Sequence, residues 1–391
     1  MTTTTFELTC RDPVVSRDGR PFGAGQGVRM RDAGWPSPSV IAGSLRTAIG
    51  KTLYPEFTVA AATELLQIQV RGAFPFANGQ VYLPAPQDCV VHPKLGPLRV
   101  TPQPTNDGGC DWPCGELQPV MLSEEQSRDE FKPKGGPAWW PLDRYTDWLS
   151  QKTISLNDRF LNAPEREDRT HAQLDPESGS VEDGRLFTTA ALPLGYLGRY
   201  GVDPKAAFSA RFAEISLAAC ATGEGDSGKT ASGLNGYHST GGERRLVHWK
   251  SGGLPELWNC PVDIDRLLAD VNTGGNVKMT LATPGIFQDG WKPGWLDQEL
   301  CGSPPGSSVR LMLVGVCIQR WRAISGWSLS ALPGQPRGPK PVRRMVPAGG
   351  VYFFQLQEGS AAELSQYWLK PVSDPEQDRR DGFGLATWGI W

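Results

Sequence analysis

An α+β fold built on antiparallel sheets is the class this sequence predicts, and three features predict it. Short apolar runs bounded by Gly and Pro recur along the whole chain, which is the pattern of strands rather than of long helices. Turn formers are abundant, with 46 Gly and 34 Pro making up about a fifth of the 391 residues. Only a few stretches carry apolar residues at helical spacing, and these alternate with strands in mixed order.

In chain order, residues 6–10 predict a strand, followed by a glycine-rich loop at 17–27 that needs glycine's freedom at positive φ. Pro-Ser-Pro-Ser at 36–39 precedes an apolar-periodic run at 40–49, a helix-start signal. A second helix is expected over 59–67, then strands at 68–70, 81–83 and 89–91. Residues 102–136 are polar and rich in Pro and Gly and predict a long insertion. A short helix is expected at 141–149, a charged loop at 164–184, and strands at 186–192 and 210–219. The second half repeats this grammar. Strands are expected at 246–249, 277–281, 309–318 and 351–355, with helices at 263–271 and 361–368.

A chain of this length exceeds what one hydrophobic core organises, so two domains are expected, 1–200 and 201–391. The boundary is placed near 200–204, and the first domain carries the insertion at about 102–184.

Composition excludes several classes. Hydrophobic residues at 39% and charged residues at 21% fit a folded protein. The start of the chain lacks the charged and apolar regions of a signal peptide, and the longest apolar run, 311–318, suits a buried strand and is too short for a bilayer. No membrane partner is expected. The eight cysteines (Cys10, Cys89, Cys110, Cys114, Cys220, Cys260, Cys301 and Cys317) are scattered, which predicts free thiols in a reducing, cytoplasmic compartment. The net charge of −3 is unevenly distributed. Residues 11–51 hold seven basic against three acidic residues, a net of +4, and residues 320–344 hold six basic and no acidic ones. On charge alone these segments are either a polyanion track or a solvated face.

Catalytic motifs are weak. Residues 223–230 fit the phosphate-cradling pattern G-x4-G-K-[ST]. That pattern needs a helix beginning at Lys229, and Gly233 and Gly236 argue against one, so a flexible loop is expected. Asp263 and Asp265 are poor magnesium candidates. Cys110-x3-Cys114 lacks a second ligand pair, so no metal is expected, and no cofactor is expected either. His92, His171, His238 and His248 are isolated in sequence. Only His238, beside a glycine-rich turn, is worth testing as a general base, with a loop histidine the favoured reading.

The remaining signals are loops combining Gly, Arg and aromatics, at 241–249, 283–293, 324–327, 338–352 and 381–391. Bare backbone approaches phosphate closely, arginine forks clamp it, and aromatic faces stack unpaired bases. Jointly they point to single-stranded RNA.

Three runs in the first hundred residues carry a resemblance. They are Arg-Asp-Pro at 11–13 with Arg-Asp-Gly-Arg-Pro-Phe-Gly at 17–23, Pro-Ser-Pro-Ser at 36–39 with Gly-Ser-Leu-Arg at 43–46, and Tyr-Leu-Pro-Ala-Pro-Gln-Asp at 82–88. Segments at 241–245, 283–293, 324–327, 339–341, 347–353 and 382–389 extend it. Together they resemble the third-subunit family of the Cmr complex, RAMP-superfamily proteins of type III-B CRISPR effectors. The resemblance spans residues 11–389 and departs at 102–184 and 223–236.

It implies two tandem ferredoxin-like (RRM-like) RAMP domains with long loop insertions and a C-terminal glycine-rich loop, where Gly382, Gly384 and Gly389 stand. It also implies a non-catalytic subunit that binds the 5′ repeat-derived handle of crRNA. Its partners would be the large polymerase/cyclase-like subunit and the backbone RAMP subunits, with target RNA met indirectly.

Two contributors to the RNA surface are expected. One is Arg17, Arg20, Ser39, Arg46 and Lys51, the last two only if their helix face is exposed. The other is Arg244, Arg245, Lys340, Arg343, Arg344 and the Gly382/Gly384 loop. The alternatives are a RAMP-type endoribonuclease using His238, a P-loop nucleotidase depending on Lys229, and a protein-only scaffold.

Overall fold

The computed structural model describes residues 2–20, 22, 28–104, 117–127, 130–157, 159–194, 215–254, 256–328 and 336–391. Six α-helices occur among them: α1 (Pro38–Leu53), α2 (Val59–Leu65), α3 (Leu142–Leu149), α4 (Gly225–Ser232), α5 (Val262–Ala269) and α6 (Glu376–Asp381). Sheets dominate and helices are few, a mixed α/β architecture. The chain divides into two units, each drawn from three stretches. The first comprises Met1–Gly79, Ala163–Gly253 and Arg322–Arg344, and the second comprises Gln80–Asn162, Leu254–Trp321 and Met345–Trp391.

In the first unit five strands lie side by side in the order Asn235–Thr240, Arg245–Ser251, Thr2–Cys10, Ser216–Gly223 and Gln69–Ala77. Every neighbouring pair is antiparallel. Along Thr2–Cys10, Phe6, Leu8 and Cys10 are buried while Thr5, Glu7 and Thr9 are half-buried, the period-2 alternation of a sheet with one core face. Phe6 meets the buried Trp249 edge-on at 5.5 Å. Helix α1 starts on Pro38, whose fixed φ suits the first turn. It buries Ile41, Leu45, Ala48 and Ile49, four positions on one helical face. Full burial of each of the three large side chains contributes about 1.5–3 kcal/mol. The helix ends at Leu53, because Tyr54 is extended ahead of Pro55. A separate hairpin, Glu167–Leu174 with Val181–Ala191, carries Val28–Arg29 in parallel on its second strand.

In the second unit six strands run in the order Cys301–Gly302, Arg310–Cys317, Val351–Glu358, Asn276–Leu281, Leu385–Ile390 and Lys370–Pro371, again all antiparallel. Val351–Glu358 is buried at four successive residues, as expected of a strand covered on both faces. Trp140, Trp148 and Phe160 pack edge-on at 5.3 and 5.5 Å. The buried Tyr145 of α3 holds Thr387 by a 2.7 Å hydroxyl–hydroxyl bond.

Several expectations change. The halves 1–200 and 201–391 are not the folding units, because Ser216–Gly223 lies between Thr2–Cys10 and Gln69–Ala77. The boundary near 200–204 and the start of the strand expected at 210–219 lie outside the described residues. So does the centre of the insertion at 102–136. The wider stretch 102–184 is not one insertion: α3 belongs to the second unit's core. The loop expected at 164–184 is a β-hairpin, which hydropathy missed because Glu167–Leu174 is polar on nearly every position. The loop expected at 223–230 is instead α4, which starts at Gly225 directly after the strand. The helix expected at 361–368 is a 3-10 segment, Ala361–Tyr367.

Candidate nucleic-acid interface

Residues 11–20 organise the basic side of the first unit. This segment receives three others through hydrogen bonds. On one side Gly242 N donates to Val15 O at 2.8 Å, and Leu246 N donates to an Asp12 carboxylate oxygen at 2.8 Å. Beside these contacts Asp18 N donates to Arg31 O at 3.0 Å. On the other side Gly19 N donates to Ala323 O at 3.3 Å. Glycine is required at 19, because a Cβ there would stand 2.8 Å from the Ile324 carbonyl carbon. The strand Arg322–Ile324 pairs in turn with Arg343–Met345. The two basic segments of the sequence thus meet around residues 17–20.

The charges sort by direction. Arg17, Arg20, Arg31, Arg166, Arg322, Arg343 and Arg344 are exposed. Two acids among them, Asp18 and Asp32, turn inward. Asp32 is 3% exposed, accepts from Gly34 N at 2.7 Å and pairs with Arg166 at 2.7 Å. Asp18 is 16% exposed, accepts from Arg20 N at 2.9 Å and pairs with its guanidinium at 3.2 Å. The Arg17 guanidinium stands 5.5 Å from the Phe22 ring centroid. Asp18 holds Arg20 and Asp32 holds Arg166 at the surface, and an exposed guanidinium fork matches phosphate.

The remaining candidates divide. Arg244 is exposed in the turn Gly242–Arg244, and Arg245 is half-buried behind it. Lys340 N donates to Gly326 O at 2.8 Å, beside Trp327, which is 63% exposed. Ser39 is half-buried at the second position of α1. It does not cap the helix: the N-cap residue is Ser37, whose hydroxyl lies 3.1 Å from that of Ser39. Lys51 is exposed in the last turn, ~18 Å from Ser39 along the helix.

Arg46 is not part of this surface. It is 6% exposed and donates Nε and Nη2 to Ile68 O at 3.2 and 2.6 Å, tying the end of the α2 connection to α1. Gly382 and Gly384 are likewise buried, in the second unit. Gly384 N donates to Pro284 O at 2.7 Å, and Gly382 O accepts from Thr283 Oγ1 at 2.7 Å, so this loop closes the last strand onto residues 283–286.

Sequence reasoning missed Arg166 and left Arg31 and Arg322 off the site. Arg166 falls in the stretch read as a loop, and no local signal announces that Asp32 holds it.

Burial, then Lys51 and His248, push His238 below its ordinary value, which favours the neutral ring. Helix α4 removes the phosphate-cradle geometry, because its first turn occupies the residues that would wrap the anion. The six described cysteines form no disulfide, and burial pushes Cys89, Cys260 and Cys317 up to about 12 and Cys220 up to about 11. These thiols stay protonated and unreactive at neutral pH. Cys110 and Cys114 lie outside the described residues. Among the described residues, no group of three His, Cys, Asp or Glu stands where it could hold a metal, and no helix is long and apolar enough to cross a membrane.

Fold and surface together define a sheet-rich mixed α/β protein with an outward-facing arginine cluster suited to a polyanion. Residues 6–391 match the family model of the CRISPR-associated protein Cas_Cmr3, and the chain belongs to that family. This is the family whose resemblance the sequence carried.

Among solved structures, the chain is similar to one from the type III-B Cmr-beta complex bound to cognate target RNA. The identity there is 12%, the TM-score 0.47, and the match covers 98% of this chain and 96% of the other. A chain of the Csm3–Csm4 subcomplex of the type III-A CRISPR-Cas interference complex is similar at 9% identity and a TM-score of 0.37, covering 92% and 94%. No curated protein matches the chain.

Proposed function

We propose that this chain is a non-catalytic subunit of a cytoplasmic type III-B CRISPR-Cas Cmr ribonucleoprotein. In this reading it binds the 5′ repeat-derived handle of crRNA and docks the large polymerase/cyclase-like subunit onto the backbone RAMP subunits. The observation that carries the RNA-binding part is the convergence of residues 17–20, 31, 322 and 343–344 into one exposed arginine cluster, with Asp18 and Asp32 turned inward beneath it. The handle is single-stranded polyphosphate, and its neutralisation by such a cluster supplies most of the affinity. Strand order supports tandem ferredoxin-like domains. With the edge strand Asn235–Thr240 set aside, the other four strands of the first unit's sheet and the four longest of the second, numbered by sequence, both run 4-1-3-2 and are antiparallel throughout.

The test is UV crosslinking of 5′-labelled guide RNA in the assembled complex, with the attached peptides mapped. Handle crosslinks to residues 11–31 or 320–344 are expected. Handle crosslinks confined to other subunits would reduce this chain to a protein scaffold. Metal-independent cleavage of repeat RNA by the isolated chain, lost in His238→Ala, would make it an endoribonuclease instead.

A further inference from the structure

The first unit's sheet has an amphipathic edge that the arginine cluster does not account for. On the inner face of Arg245–Ser251, Val247 and Trp249 are fully buried. The outer face of the same strand presents Leu246, His248 and Lys250. Across the ladder His248 pairs with Tyr237 on the edge strand Asn235–Thr240 and with Thr9 on its other side. Tyr237 is 55% exposed, a large aromatic ring on the solvent side of a sheet edge. His248 meets it edge-on at 5.0 Å, and the Arg11 guanidinium stands 5.7 Å from its centroid.

The position of these groups is set by the fold. Arg11 N donates to Leu246 O at 3.1 Å, which fixes Arg11 beside this ladder. Leu246 is 37% exposed and Lys250 is exposed, so the ring is flanked by apolar and cationic surface. Of the carboxylates beside the ladder, Asp12 accepts the Leu246 amide, and Glu7 is half-buried in register with Lys250. The strand that carries this row begins at Arg245, in the basic turn next to residues 11–20.

From this geometry we infer that Tyr237 is a stacking platform for one base of a single-stranded RNA, with Arg11 and Lys250 meeting the adjoining phosphates. The inference rests on the RNA-binding reading above and adds a second contact to it. Single-strand binding sites combine an aromatic face with flanking cations, and the stacking contribution tolerates any base. A polyanion is favoured over a protein partner because the exposed charges around the ring are basic.

The experiment uses the reconstituted complex with RNA carrying 5-iodouridine, placed in the guide strand in one arm and in the target strand in the other. A crosslink on the Tyr237 peptide is expected in one arm, and the arm identifies the strand. Tyr237→Ala should weaken binding of that strand about 5- to 150-fold at an unchanged salt slope, with Tyr237→Trp restoring it. Arg11→Ala should lower the slope by about 0.7. If Tyr237 variants and crosslinks are silent while Arg343→Ala still weakens RNA binding, the platform is refuted and the RNA-binding reading stands. If both are silent, both fall. A Tyr237 crosslink to a neighbouring subunit would overturn the platform in favour of a protein interface.

Discussion

The ammonium of Lys278 lies 2.7 Å from a carboxylate oxygen of Asp88, with both side chains 1% exposed. The other Asp88 oxygen accepts from Trp148 Nε1 at 2.7 Å, and the Arg99 guanidinium stands 3.8 Å from the Trp148 ring centroid. Asp88 follows the Tyr-Leu-Pro-Ala-Pro-Gln run at 82–87, and Lys278 sits in a strand at the centre of the second unit's sheet. The pair fixes that run against the sheet.

Removing one partner should therefore cost far more than removing both. Lys278→Met leaves a buried carboxylate without its counter-charge and should destabilise by about 3–5 kcal/mol. The double variant Lys278→Met, Asp88→Leu should recover part of that loss. Denaturant midpoints of the three proteins decide it, and equal losses in the single and double variants would show that the pair is not coupled.

Arginines of the surface and of the core should separate by salt dependence. Arg20→Ala, Arg343→Ala and Arg344→Ala each should weaken guide-RNA binding and reduce the slope of log affinity against log salt by about 0.7. Arg46→Ala should leave the slope unchanged and lower stability by about 1.5–3 kcal/mol, because Ile68 O loses a charged donor. Titrations at several salt concentrations, read beside thermal melts, distinguish the two behaviours.

His238 should titrate below its ordinary value of 6.5, because burial and then Lys51 and His248 oppose its charge. Since the folded value is depressed, the unfolded chain takes up the proton first as pH falls below 6.5. Stability should be full above that pH and decline until the folded value is reached, then level. Lys51→Met should move the titration upward. NMR of the ring protons follows it directly, and an unshifted titration in Lys51→Met would remove Lys51 as a cause.

Gly384 is held at φ +75°, and a Cβ there would stand 2.5 Å from Ser373 Oγ and 2.8 Å from Ser373 N. Gly384→Ala combines left-handed strain with overpacking and should destabilise by roughly 2–4 kcal/mol. Its effect on RNA binding should follow only from lost fold. Loss of affinity at full stability would return this loop to the binding surface.

The sequence by itself determined the family, the sheet-rich class and most central strands, because apolar runs such as 277–281 and 351–355 are dictated by local composition. It also placed α1 to within a few residues, since a serine ahead of an apolar-periodic run is a local signal; of the stripe Val40, Ile41, Ala48 and Ile49 it predicts, Val40 is only half-buried and Leu45 takes its place in the core. What only the tertiary structure decided depends on partners far apart in the chain. Thr2–Cys10 pairs with a strand more than two hundred residues away, so the two units interleave instead of following one another. Arg46 and Arg20 look alike in sequence, yet one turns inward to Ile68 O and the other outward beside Asp18. The direction of a charged side chain is set by which backbone acceptor packs against its helix or loop. Local spacing carries no record of that neighbour.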